Sequence, residues 1–260
     1  MSDRVVGVVF DDTTLRAVEL RHPSRFRRGA GDQVLRACSA ELPPGVVDRG
    51  EIADAEAFAD SLRALWVTAG FTTTRVSIGL DARAAVIRRA TFPAVARKSL
   101  QQAAEFEIGD LLGYRLDQAL VSVLDVGKNS GGTPGDVQCL VLATKQDTII
   151  GLRAAVKAAG LRPVSTELTQ TALARHVNGP NPLPDGAVGV IVDVSRTVTN
   201  IVVHENDGML FSRVVTAGVS ALPTSLSDEL QKELTILDSF GQGEEMGESQ
   251  ASASDRTAPS

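Results

Sequence analysis

Residues 6–20 read VGVVFDDTTLRAVEL, two Val- and Leu-rich runs on either side of Asp11, Asp12, Thr13 and Thr14. Short β-branched runs around a polar turn predict a β-hairpin over 4–10 and 14–20. An acidic turn in that place can be a metal site, a phosphate loop, or a phosphate loop that has lost its working groups. The surrounding chain decides among them. A third run, QVLRACSAEL (33–42), extends the hairpin to a meander. Beyond the turn-like PPGVVDRG, residues 54–69 predict a helix: Asp54 caps it, Phe58, Leu62, Leu65, Trp66 and Ala69 share one face, and Gly70 ends it. RVSIGL (75–80) predicts a strand. A second helix, 146–159, has Ile149, Leu152, Val156 and Ala159 at helical spacing before Gly160.

Between these elements, 81–136 has a different texture: strand-like AVIRRATF, a helix from about Arg97 to Leu112, and strand-like ALVSVLDV. The loop GKNSGGTPGD that follows lacks the G-K-[ST] ending of a Walker loop and is flanked by strands, so it reads as a hairpin loop and not a phosphate cradle. VQCLVLATK (137–145) then resumes a buried strand. The pattern is an inserted subdomain within an α/β domain. An internal echo adds to it. VGVVFD (6–11) and VGVIVD (188–193) agree at four positions, and each leads through a polar turn to a second apolar run, LRAVEL or VTNIVVH. Repeated strand-turn-strand units point to two related half-domains.

At 260 residues and 43% hydrophobic content the chain can bury a sizeable core. Its net charge of −6 argues against a nucleic-acid binder. Residues 238–260 supply −4 of that charge, from Asp238, Glu244, Glu245, Glu248 and Asp255 against Arg256, and their Gly, Ser, Gln and Glu content predicts disorder. Arg21, Arg25, Arg27 and Arg28 gather in RHPSRFRRGAGD, read as a solvated loop. Nothing resembles a membrane span or a signal-peptide layout, which places the chain in the cytoplasm. Cys38 and Cys139 sit in apolar runs without metal-ligand spacing and read as buried structural thiols.

The stretches RAVEL (16–20), LPPGVVDRGEIADAEAFADSLRALWVTAGF (42–71), AEFEIGDLL (104–112), KAAGLRPVSTELTQTALAR (157–175) and FSRVVTAG (211–218), in that order, resemble the actin-like ATPase superfamily. More narrowly they resemble PilM, the actin-like component of type IV pilus assembly and a relative of FtsA. The resemblance implies an α/β, actin-like (ribonuclease H-like) fold of two half-domains with a small α+β insertion. Residues 1–80 and 137–162 would form the first half, 81–136 the insertion, 163–237 a partial second half, and 238–260 the acidic tail. The sequence as given ends before the remainder of that second half.

In such a fold the two hairpin turns face nucleotide phosphates, which implies ATP and Mg²⁺ and makes Asp11, Asp12, Thr13, Thr14, Asp193, Ser195, Thr197 and Gly218 candidate nucleotide contacts. The first turn departs from the family pattern. Anchored without gaps on Arg16–Leu20, the family's Asp position falls on Val9 and its Gly position on Asp11, which sets a carboxylate against polyphosphate. Anchored on VGVVFD instead, Asp11 keeps the metal-facing place in a turn two residues shorter. In the second turn, DVSRTVTN (193–200), Ser195 replaces the family's Gly. Asp193 and Glu167 match metal- or water-orienting acids of the superfamily. Asp193 equally reads as closing a strand, and Glu167 as capping the helix near Leu168. Gly218 fits a close ligand approach or a plain turn.

The resemblance further implies a groove, formed with the insertion, for a short N-terminal peptide of a PilN-like membrane protein. By position, Phe92, Leu100, Phe106, Ile108 and Leu111 would line it, unless they pack the insertion's own core. The function expected is a scaffold at the inner face of the cell membrane, peripheral through its partner, able to self-associate, with weakened or lost ATPase activity. An active Mg²⁺-dependent ATPase or kinase is one alternative. An FtsA-like division protein is another, although the acidic tail offers no amphipathic membrane helix.

Overall fold

In a computed structural model the described residues are 3–22, 32–93, 97–128, 136–179, 182–206 and 208–221. The opening stretch forms the expected hairpin, β1 (Asp3–Phe10) with β2 (Thr14–His22), joined by β3 (Gln33–Glu41); β4 (Val47–Asp48) and β5 (Glu51–Ile52) follow as a separate short ribbon. Arg21, expected in a loop, lies in β2; Arg25, Arg27 and Arg28 fall outside the described residues.

Helix α1 (Ala55–Ala69) starts and stops for the reasons its sequence gives. The Asp54 carboxylate accepts from the N–H groups of Glu56 and Ala57 at 3.1 and 3.0 Å, and Gly70 takes the left-handed conformation (φ 62°) that lets Phe71 N–H reach the carbonyl of Trp66. Its face of Phe58, Leu62 and Leu65 is buried on the first sheet.

That sheet runs β10-β6-β1-β2-β3, with β6 (Arg75–Leu80) parallel to β1 and β10 (Arg162–Leu168) parallel to β6. Between β6 and β10 the chain forms β7 (Ala85–Pro93), α2 (Arg97–Gly109), β8 (Ala119–Lys128), β9 (Asp136–Lys145) and α3 (Gln146–Ala158). Val6, Val8, Leu15, Val76 and Ile78 meet α1 and the α3 residues Leu152 and Val156 in one core.

Two placements differ from the sequence pattern. Strand β9 pairs antiparallel with both β7 and β8, so it is the centre of the insertion's own sheet and does not return to the first one. It is buried on both faces, and a continuous apolar run looks the same in either sheet. Strand β10, within the stretch assigned to the second half, completes the first sheet instead.

Helix α2 covers one face of the insertion's sheet with Ala104 and Ile108, against Phe92, Cys139 and Val141. Cys139 is buried as expected, whereas Cys38 on β3 is half-buried, and neither is in a disulfide.

After α4 (Thr169–Asn178), the second hairpin forms as β11 (Gly189–Val194) and β12 (Thr199–Glu205), continued by β13 (Gly208–Val215) into an antiparallel sheet of order β11-β12-β13. The expected helix-like segment 222–237, the tail 238–260 and most of the Gly-rich loop (129–135) lie outside the described residues. Among the described residues no helix is long and apolar enough to cross a membrane.

One buried charge ties the first sheet to the end of α1. Glu19, fully buried on β2, accepts from Arg36 of β3 at 3.1 Å and from both the N–H and the hydroxyl of Thr72. Burial pushes its pKa up, but the Thr72 hydrogen bonds and Arg36 outweigh that and hold it below the ordinary value. A carboxylate with a depressed folded pKa stabilises fully above its unfolded value and loses that contribution as pH falls through the folded one. Glu19→Gln is therefore expected to cost about 2 kcal/mol at neutral pH. In thermal melts the gap between variant and parent should close as pH drops below the carboxylate range; a gap independent of pH would contradict this role.

Candidate functional site

Both hairpin turns open on one small cleft of about 50 Å³, lined by Val9, Asp11 and Arg16 from the first hairpin, Asp81, Gln170 of α4, and Asp193, Ser195 and Asn200 from the second. Thus the structure brings together Asp11, Asp193 and Ser195 of the sequence candidates. Asp12, Thr13, Thr14, Thr197 and Gly218 are not on its lining.

The first turn is closed upon itself. Asp11 is 5% exposed, and its Oδ1 accepts from the N–H groups of Thr13 and Thr14, both at 2.8 Å, and from the Thr13 hydroxyl at 2.9 Å. Its Oδ2 accepts from Arg16 at 3.1 Å. Backbone donors converging in a turn are what a phosphate loop offers to an anion. Here the carboxylate of the same turn takes them.

Asp12 points elsewhere. It accepts two bonds from Arg83, at 2.7 and 3.0 Å, and one from Gly50 N–H at 3.0 Å. Arg83 also donates to the buried Asp81 at 2.8 and 3.1 Å. Burial disfavours the Arg83 charge, but hydrogen bonds and attraction from Asp81 and Asp12 prevail and raise its pKa. This clamp joins the first turn to the entry of the insertion. No local sequence pattern announces it, because Asp12 and Arg83 are far apart in the chain.

In the second turn the Ser195 hydroxyl donates to the Val198 carbonyl at 3.0 Å. Asp193 accepts from Asn200 at 3.1 Å, and Asn200 accepts from the buried Gln170 at 2.8 Å. Gln170 and Asn200 sit inside stretches the sequence singled out, TELTQTALA and DVSRTVTN, as polar residues at buried positions. Gly218 is explained without a ligand: a Cβ there would lie 2.3 Å from the Ser195 carbonyl oxygen, so the backbone of the turn itself demands glycine.

Glu167 does not join Asp193 on the cleft lining. Nor does it cap α4, whose N-cap, Leu168, has no side-chain bond; its carboxylate pairs with Arg175 and accepts from Thr171 Oγ1 at 3.1 Å. Among the described residues no three His, Cys, Asp or Glu side chains cluster as a metal site. The residues present do not fit a Mg²⁺-bound polyphosphate. The turn's donors are taken, a fixed carboxylate faces the cleft, and the space is far below the roughly 300–1,000 Å³ of ordinary ligand sites.

A second concavity, about 460 Å³ and largely apolar, lies where the insertion meets the first sheet. Leu120, Ser122 and Leu124 give it one face of β8, Ile149 and Arg153 of α3 form its floor, and Ser165–Leu168 give it the edge of β10. Four consecutive residues of a strand can line a cavity only along the strand's edge, since side chains alternate between faces; β10 is indeed the last strand of its sheet. None of the five groove candidates from the sequence lines it. Phe92 and Ile108 are buried in the insertion's core with Leu100 packed on it, while Phe106 and Leu111 are exposed.

A family model described as "Type IV pilus assembly protein PilM" matches residues 7–237. The chain belongs to the PilM family. Among solved structures, a "PilM-PilN type IV pilus biogenesis complex" matches with a TM-score of 0.70 and 22% identity, over 91% of this chain and 72% of that one. The cytoplasmic domain of EpsL, an inner membrane component of the type II secretion system of Vibrio cholerae, matches with a TM-score of 0.51 and 11% identity, over 82% and 71%. No curated protein sequence matches significantly. The fold is the α/β, actin-like one that the resemblance implied.

The clamp makes a direct prediction. Arg83→Ala leaves Asp12 and the buried Asp81 without their cation and should destabilise the PilM-family chain by about 3 kcal/mol or more in denaturant titrations. A loss below about 0.5 kcal/mol, typical of exposed pairs, would contradict it.

Proposed function

We propose that this chain is a cytoplasmic scaffold of a type IV pilus assembly platform, which holds a short extended peptide of a PilN-like membrane partner in the β8–α3–β10 groove and no longer turns over nucleotide. The observation that carries the reading is the groove: an apolar face of one sheet set opposite an edge of another that no strand covers among the described residues. An extended peptide can add to the β10 edge through its main chain while every second side chain turns toward Leu120 and Leu124, which are 49% and 37% exposed. Family membership supports a pilus-assembly role, and the solved complex of a PilM with a PilN supports the kind of partner. The self-satisfied first turn supports loss of the ATPase reaction, because phosphoryl transfer depends on positioned donors and metal ligands.

Calorimetric titration with a synthetic peptide of the partner's first 20 or so residues tests the reading. The parent chain should bind saturably. Leu120→Asp, which sets a charge on the apolar wall without touching a core residue, should weaken binding at least about tenfold. No binding by the folded parent, or equal binding by the variant, would overturn the groove as the site.

A further inference from the structure

The groove carries polar groups beside its leucines, and an arginine and a buried hydroxyl among them have no partner among the described residues. Of the two charged side chains on its lining, Glu167 is engaged by Arg175 and Thr171. Arg153 of α3 is half-buried and makes no ion pair or hydrogen bond among the described residues. The buried hydroxyl of Thr166, on the β10 side of the same groove, is likewise without a hydrogen-bond partner. Polar groups withdrawn from water and left unpaired cost free energy, and a guanidinium costs more than a hydroxyl. Of the remaining polar lining, Thr144 donates to the Ala84 carbonyl, Ser165 bonds Ser77, Thr171 donates to the Leu168 carbonyl, and the exposed Ser122 is open to water. The groove therefore presents leucines, one strand edge and one unpaired cation, although the chain as a whole is acidic.

We propose that the groove selects a peptide that is acidic as well as apolar. Apolar side chains at alternate positions meet Leu120 and Leu124, and an Asp or Glu carboxylate of the peptide pairs with Arg153, whose planar fork suits two parallel N–H···O bonds. Thr166 hydrogen-bonds the peptide main chain. This rests on the peptide-holding reading above and adds the chemistry by which the groove distinguishes one segment from another. Arg153 is a specificity residue: the leucines and the strand edge supply attraction that many apolar peptides share, and the cation discriminates among them.

The test is a displayed library of random decapeptides selected on the full chain and on Arg153→Gln and Leu120→Asp, each variant first shown to melt like the parent. The parent should enrich peptides with an Asp or Glu at a fixed distance from alternating apolar residues, and Arg153→Gln should keep the apolar preference while losing the acidic one. A synthetic consensus peptide should bind the parent about tenfold more tightly than Arg153→Gln, and its Glu→Gln or Asp→Asn version should bind the two proteins equally. An acidic preference that is missing from the parent, or that survives Arg153→Gln, overturns the Arg153 assignment alone when Leu120→Asp still abolishes binding. Enriched peptides that bind Leu120→Asp as well as the parent, or no enrichment at all, overturn the assignment and the groove reading together.

Discussion

The carboxylate of Asp11 supplies, from within the chain, the negative charge that the first hairpin's backbone donors would otherwise take from a ligand. Its two oxygens engage Thr13, Thr14 and Arg16 at hydrogen-bond distance, so the turn needs nothing further to be satisfied. Asp12 is spent on Arg83, and through Arg83 the turn is fixed to Asp81 at the end of β6. An acidic turn that would be self-repelling beside polyphosphate is thereby a closed structural joint. The same hairpin anchors the first sheet on α1 and α3, so the joint also sets where the insertion departs from that sheet.

Two concavities on either side of this joint have opposite characters. The cleft between the hairpins is small, polar and internally bonded by the chain Asp193–Asn200–Gln170. The groove between insertion and first sheet is roomier, apolar and bordered by a strand edge. Under the proposed reading, this division suits the chain to holding a peptide segment. Its actin-like architecture then serves as a frame that sets β8 opposite β10.

The hairpins and α1 were legible in the sequence because each is specified locally: β-branched runs around a polar turn, and a stripe of Phe58, Leu62 and Leu65 between Asp54 and Gly70. Strand β10 was not. Its sequence RPVSTEL alternates poorly because neither face is uniformly buried, and its partner β6 lies across the whole insertion. The cleft was half legible. The turn residues could be named, but the partners that neutralise them, Arg83 and Gln170, are remote in sequence and stand in no motif with them. The groove was missed for a related reason. In ALVSVLDV apolar residues occupy both faces of β8, and periodicity does not say that Val121 and Val123 pack toward α2 while Leu120 and Leu124 face the groove. Of the residues offered for a groove, Phe92 of β7 and Ile108 of α2 pack the insertion's core, which is the other reading the sequence left open.

Asp11 fills the anion place in the first turn. Titration calorimetry of ATP with Mg²⁺ into the folded chain, beside an Asp193→Ala control, tests it most directly. With that place filled, no heat of binding is expected at millimolar ATP for either protein. Saturable binding by the parent that is lost in the control would contradict it, and would show that the two turns still close on a nucleotide.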